Sequence, residues 1–226
     1  MTTTTTKTSI STTRTNRGLV AAVLALAAGT AGAIALVGAP LADAATATQR
    51  VVVRPVTASG HAAPGWQVKA MSGSVSCDSA SAGAVSNGIA YCGPSADYAV
   101  ACWHAATTSR VYCLPDPRKH TLWRIRLDGA FPRVTAPRHP SPQALATRVG
   151  GYYLVRDGGA GPMLAKHPTW VSQYYGANNG RFVGGPRSTD GVNRRHPAWF
   201  VTTFRTPNQQ GLRQAVATAY YVGTAR

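Results

Sequence analysis

The chain contains no glutamate. Its 226 residues carry 7 acidic side chains, all of them aspartate, against 23 lysines and arginines, for a formal charge of +16. Glycosidases usually need two carboxylates at a controlled separation, so this shortage argues against that class, although two aspartates can serve. The common catalytic signatures are missing as well. There is no G-x-S-x-G nucleophile elbow, no H-E-x-x-H metal helix, no phosphate loop and no dinucleotide glycine fingerprint. Aspartate and histidine neighbour each other as Asp97 with His104 and Asp116 with His120, but no serine is tied to either pair, so no Ser-His-Asp triad is read from them. From Trp66 onward no 3.6-residue apolar stripe is long enough to argue a major helix.

Cysteine is scarce too. The four residues Cys77, Cys92, Cys102 and Cys113 include no C-x-x-C pair, so the tight knuckle of a structural zinc site is absent and neither a metal nor a cofactor is expected. In an oxidising compartment four cysteines read as two disulfides, and a catalytic thiol would leave an odd partner. Among the three pairings, Cys102 with Cys113 is favoured because both lie in strand-like sequence that folds back through Thr107 and Thr108, which sets residue 106 opposite 109. Cys77 with Cys92 then remains. Loops of these lengths are each expected to contribute about 3 kcal/mol.

What is present first is an address. Lys7, Arg14 and Arg17 form a basic leader, and no charged residue occurs from 18 to 42. Pro40 stops the apolar helix and small Ala42 and Ala44 suit signal peptidase, so residues 1–44 are expected to be a signal helix cleaved after Ala44. The competing expectation is an uncleaved anchor, since about 20 apolar residues span a bilayer. The Ala- and Gly-rich composition of the run, with few strong hydrophobes, favours cleavage. The leader holds neither a cysteine for lipid nor a twin arginine. Contact with membrane is then transient, and removal of Lys7, Arg14, Arg17 and Asp43 lowers the charge from +16 to +14.

Residues 45–65 read as a flexible lead-in containing a short edge strand at 51–53 closed by Pro55, and 66–226 as a single domain of short strands divided by Gly, Pro, Asn and Asp. The fold class expected is mainly β, a small disulfide-bonded sandwich or barrel of antiparallel hairpins. In 121–128, Trp123, Ile125 and Leu127 alternate with Arg124, Arg126 and Asp128, one face core and the other wet. A quasi-repeat follows: a basic residue, histidine and proline at 138–140, 166–168 and 195–197, each leading into a strand and then a turn at Gly150 and Gly151, at 178–180, or at 207–211. Three hairpins are predicted. Proline suits a strand start because its missing N–H is not needed there, and it pushes the preceding histidine toward extended geometry. The functional alternative puts His139, His167 and His196 on one rim, though the neighbouring cations disfavour a metal.

The segment 91–117 concentrates the unusual residues: Cys92, Gly93, Pro94, Ser95, Ala96 and Asp97, then Cys102 and Trp103, then Cys113, Leu114, Pro115, Asp116 and Pro117. With Arg156, Asp157, Gly158 and Gly159 downstream, it resembles uncharacterised exported proteins of actinobacteria, of the mycobacterial type. The resemblance runs from Cys92 to the C-terminus and implies export and disulfides. Its motifs are those of cystines and turns, and no active site comes with them. In those proteins a cysteine precedes the arginine of R-x-G-G where this chain has Tyr153, and another lies near Tyr175. The resemblance therefore implies that these two tyrosines fill that contact by aromatic packing.

The function expected is that of a secreted, non-catalytic binding protein whose basic face takes an anionic cell-envelope polymer or another extracellular partner. The residues chosen for that face are Arg118, Lys119, Arg124, Arg126, Arg194 and Arg195, whose long side chains reach solvent from strand rims and turns. An extracellular hydrolase assembled from distant residues, with Asp97, His104 and the three His-Pro histidines as first suspects, is the alternative, as is a secreted inhibitor or interaction module presenting a loop braced by Cys102 and Cys113. Trp170, Tyr174, Tyr175, Trp199, Phe200, Tyr220 and Tyr221 read as core before they read as a ligand platform. No recognition helix or RNP-like strand is present, so no specific nucleic acid is expected.

Overall fold

In the computed structural model, residues 46–93, 100–106, 109–155 and 163–226 are described, and all regular structure among them is β. The first seven strands are β1 (Gln49–Thr57), β2 (Gln67–Val75), β3 (Cys77–Ala80), β4 (Ile89–Cys92), β5 (Val100–His104), β6 (Arg110–Leu114) and β7 (Thr121–Leu127). Seven more follow: β8 (Ala144–Thr147), β9 (Tyr152–Val155), β10 (Trp170–Gly176), β11 (Phe182–Pro186), β12 (Val192–Asn193), β13 (Phe200–Phe204) and β14 (Leu212–Ala225). The signal helix expected over 1–44 lies outside the described residues.

The three predicted hairpins form, as β8–β9, β10–β11 and β13–β14. Each pairs antiparallel with the next, and β14 pairs with β8, so the six strands close into an antiparallel barrel. Closure leaves no free edge among them. β1 adds to the barrel sheet as a parallel edge strand on β14, with a register shift between Val53 and Val56 where Arg54 and Pro55 sit. An edge is where a strand tolerates proline, because no partner needs the missing N–H. The lead-in is therefore more than the short strand expected at 51–53: the strand is nine residues long, and Val56 is fully buried.

The barrel is filled by Leu145, Tyr153, Val155, Tyr174, Val183, Val201, Val216, Ala219 and Tyr221. β14 serves this core through a bulge between Val216 and Thr218, which switches its inward residues from Gln214 and Val216 to Ala219 and Tyr221. Without that extra residue the period-2 pleat would turn one half of the strand outward.

The second sheet has the order β2-β7-β6-β5-β4-β3, antiparallel except for the parallel β2–β7 pair. One face packs on the barrel sheet: Ile89, Trp103, Leu114 and Leu122 meet Val56, Ala84 and Val222. The other face buries Val111, Ile125 and Leu127 with the cystines beneath Met71, Phe131 and Val134. Both favoured disulfides, Cys77–Cys92 and Cys102–Cys113, are formed, each between residues directly opposite in antiparallel register. That register places 106 opposite 109, as the fold-back through Thr107 and Thr108 requires, although those two threonines lie outside the described residues. The sulfurs of Cys92, Cys102 and Cys113 lie within 4.8 Å of one another, so two adjacent covalent links tie four neighbouring strands. All of this belongs to one compact unit, Asp43–Arg226.

Candidate functional site at the barrel mouth

In a barrel of consecutive hairpins the first strands run the same way. β8, β10 and β13 are each separated by one antiparallel neighbour, so all three begin at one end of the barrel. The three basic-His-Pro segments therefore deliver the chain to a common end. A cavity of about 890 Å³ opens there. Its floor is the top of the barrel core, Val155, Tyr174 and Tyr221, with Val192 and Trp199 beside them. Its walls come from Arg50 on β1, residues 138–141 ahead of β8, and residues 187–190 after β11. The β10 bulge between Ser172 and Tyr174 brings Gln173 to the same rim, where its amide donates to the Pro186 carbonyl at 3.4 Å. Barrel mouths of this size are common seats for small ligands.

Among the described residues four arginines line the cavity: Arg50, Arg138, Arg187 and Arg194. Among the described residues Asp190 is its one carboxylate, and it is already engaged. Arg194 donates to Asp190 Oδ1 at 2.8 Å and, from its other terminal nitrogen, to Oδ2, while the Val192 N–H donates to Oδ1 at 3.2 Å. Burial opposes the Arg194 charge, but the bond to Asp190 outweighs it and holds this guanidinium above the ordinary arginine range. Arg194 also lies over the Trp199 ring at 5.0 Å, and Arg50 lies over Tyr221 at 5.0 Å and Trp199 at 5.9 Å. These ring contacts orient both guanidiniums before any ligand arrives. Arg50, Arg138 and Arg187 have no carboxylate partner among the described residues.

No family model matches this chain, and no curated protein or solved structure matches it.

The six basic residues chosen from sequence fall in separate places. Arg194 lines the mouth, and Arg195 lines a smaller cleft beside β12 together with Arg213. Arg124 and Arg126 stand on the exposed part of the β7 face that buries Leu122, with Arg126 opposite Arg110 and 3.4 Å from Asp128. Arg118 and Lys119 lie in the β6–β7 connection. The Arg118 guanidinium sits 3.2 Å from the centre of the Tyr152 ring, at the start of β9, whereas the mouth lies at the far end of that strand, by Val155.

The His-Pro histidines also divide. His139 lines the mouth, His167 stacks on Trp170 with ring centres 4.6 Å apart, and His196 is exposed. Asp97 lies outside the described residues, and His104 is exposed with its ring 5.5 Å from Phe131. The Asp116–His120 pair does not form. Buried Asp116 instead accepts from the Tyr152 hydroxyl at 2.6 Å and the Arg118 N–H at 2.9 Å, and His120 stacks on Trp66. Among the described residues no histidine hydrogen-bonds a carboxylate.

The contact expected between Tyr153 and Tyr175 is corrected by register. Tyr175 lies opposite Leu154 and Tyr153 opposite Gly176, so the two tyrosines point to opposite faces, with Tyr153 in the barrel core.

Arg50, Arg187 and Tyr174 escaped the sequence reading as a set. The signal that leads to this place is topological: three basic-His-Pro leaders entering three same-facing strands start from one end.

Proposed function

We propose that this is an exported, non-catalytic binding protein that holds an anionic component of the cell envelope in its basic barrel mouth. The observation that carries the proposal is the convergence of Arg50, Arg138, Arg187 and Arg194 on one cavity whose described carboxylate is already taken by Arg194. Uncompensated charge in a walled recess attracts anions more strongly than the same charge spread over an open face. The two disulfides fit an oxidising, extracytoplasmic space. The basic and apolar leader, and the resemblance to exported actinobacterial proteins, support the same address.

Retention on purified wall teichoic acid tests the function. It is expected to fall steeply as salt is raised, because screening weakens charge attraction. It is expected to collapse in the Arg50→Ala, Arg138→Ala, Arg187→Ala triple variant and to survive Arg124→Ala with Arg126→Ala. Retention unchanged at molar salt, or unaffected by the triple variant, overturns the proposal. Export has its own test, the intact mass of protein recovered from culture medium. The expected mass lacks residues 1–44 and is four hydrogens lighter than the reduced chain, and a mass that retains Met1 refutes cleavage.

A further inference from the structure

Two features of the barrel mouth go beyond positive charge. The first is that the cavity is blind. Directly beneath Tyr174 and Tyr221 the barrel is filled by Leu145, Tyr153, Val183 and Val216, each 0% exposed, so a chain cannot pass through and whatever enters does so end first. The second is the Tyr174 side chain, which is 0% exposed, lines the cavity, and has a hydroxyl without a hydrogen-bond partner among the described residues. A buried hydroxyl that has left water without replacing its hydrogen bond destabilises the fold, and in a native protein it calls for an explanation. Burial first, and the Asp190 charge second, keep this phenol from ionising, so it remains a neutral donor. Among the described residues it lacks an acceptor.

The charge of the recess narrows what that acceptor is. Among the described residues, four arginines and one aspartate give the lining a formal +3. A carboxylate ligand brings one negative charge and two oxygens. A phosphate monoester brings two charges and three terminal oxygens, enough to occupy several guanidinium forks and still accept from a phenol. A cavity of about 890 Å³ also has room for the group that carries the phosphate.

We infer that the barrel mouth is a receptor for a terminal phosphoryl group, with Tyr174 donating the hydrogen bond at the floor and Arg50, Arg138 and Arg187 supplying the compensating charge. This rests on the anionic-ligand function proposed above and narrows it to one chemical group, recognised at the end of a molecule. Tyr174 thereby has a distinct signature: it weakens the empty protein and strengthens the complex.

Calorimetric titration of the disulfide-bonded protein with glucose 1-phosphate, inorganic phosphate and glucuronic acid tests this. Glucose 1-phosphate is expected to bind roughly tenfold or more tightly than glucuronic acid at equal ionic strength. Tyr174→Phe is expected to lose about tenfold or more of the affinity for glucose 1-phosphate, as for a hydrogen bond to a charged acceptor, while its melting temperature without ligand rises. Glucuronic acid binding as tightly as glucose 1-phosphate, or Tyr174→Phe keeping full affinity, overturns the phosphoryl receptor. So does the absence of saturable binding to both phosphates. In each of these cases teichoic acid retention that still depends on Arg50, Arg138 and Arg187 leaves the broader function standing. Retention and titration both indifferent to those arginines overturn the two together.

Discussion

The barrel and the second sheet face the same physical problem, how to finish the edges of a small sheet, and solve it differently. The six hairpin strands close on themselves, and no cysteine follows Cys113, so the barrel is held by its core and its ladder alone. The second sheet stays open. Its edge strand β2 is exposed along most of its length, and both disulfides lie within this sheet, tying β3 to β4 and β5 to β6. Covalent links sit where topology provides no closure. The closed half can in turn carry a polar defect such as Tyr174 at its mouth, because its strands do not depend on that residue for pairing.

The sharpest way to break this comparison is to remove a staple. Replacing Cys102 and Cys113 together by serine is expected to lower stability by about 3 kcal/mol, the effect of releasing a short loop in the unfolded chain. Urea unfolding followed by tryptophan fluorescence measures it. A loss below about 1 kcal/mol would mean that the open sheet is held by packing as the barrel is, and that the staples are incidental to its edges.

The barrel has no staple to remove, so it is tested through a close approach. A Cβ on Gly185 of β11 would lie 2.3 Å from the Gly191 Cα, backbone against backbone, and Gly191 has a φ of 71°. Neither side can yield by rotating a side chain. Gly185→Ala is therefore expected to cost about 2 kcal/mol by overpacking. Because the displaced segment carries Asp190 and leads to Arg194, it is also expected to weaken anion binding at the mouth. A stable variant with unaltered binding would show that the β11–β12 approach is loose.

Local pattern made much of this fold legible. The alternation of Trp123, Ile125 and Leu127 with charged residues gives β7 its buried face, the three leaders and their turns give the three hairpins, and Pro55 marks an edge strand. The cystine pairing follows from one fold-back. What escaped depends on register and distance along the chain. The parallel pairings β1–β14 and β2–β7 join segments far apart, and the bulge that reverses the inward parity of β14 leaves no mark in composition. The basic face was read from exposure, which long cations satisfy nearly everywhere. The mouth depends on which cations closure brings together, and Arg50 and Arg187 gather there from positions 137 residues apart.

A smaller effect sharpens the junction of the two halves. Tyr152 of β9 donates to Asp116 of the β6–β7 connection, with the Arg118 guanidinium over the ring. Tyr152→Phe leaves a buried carboxylate short of one donor and is expected to cost about 1–2 kcal/mol. The same contact sets an alkaline limit. Burial, then the bond to Asp116, raise the Tyr152 pKa far above the ordinary phenol value of 10.0, and burial raises that of Tyr174. A raised pKa stabilises the fold fully below the unfolded value and loses that contribution as pH rises, so stability is expected to fall above pH 10. Tyr152→Phe should make that fall shallower. Denaturant midpoints measured between pH 8 and 11 that show no decline would refute the assignment.

The smallest expected effect is the one that separates a basic surface from a basic site. Arg126 is 65% exposed in its side chain and reaches Asp128 at 3.4 Å, with Arg110 opposite it across the ladder. An exposed pair of this kind is screened by solvent and set against like charge, so Arg126→Ala is expected to change stability by no more than about 0.5 kcal/mol. It removes the same unit of charge as Arg138→Ala. If affinity for a phosphorylated ligand followed net charge alone, the two variants would weaken it equally. The blind mouth requires instead that Arg138→Ala weaken binding and Arg126→Ala leave it unchanged at equal ionic strength, because guanidiniums act over a few ångströms once salt screens the long-range field.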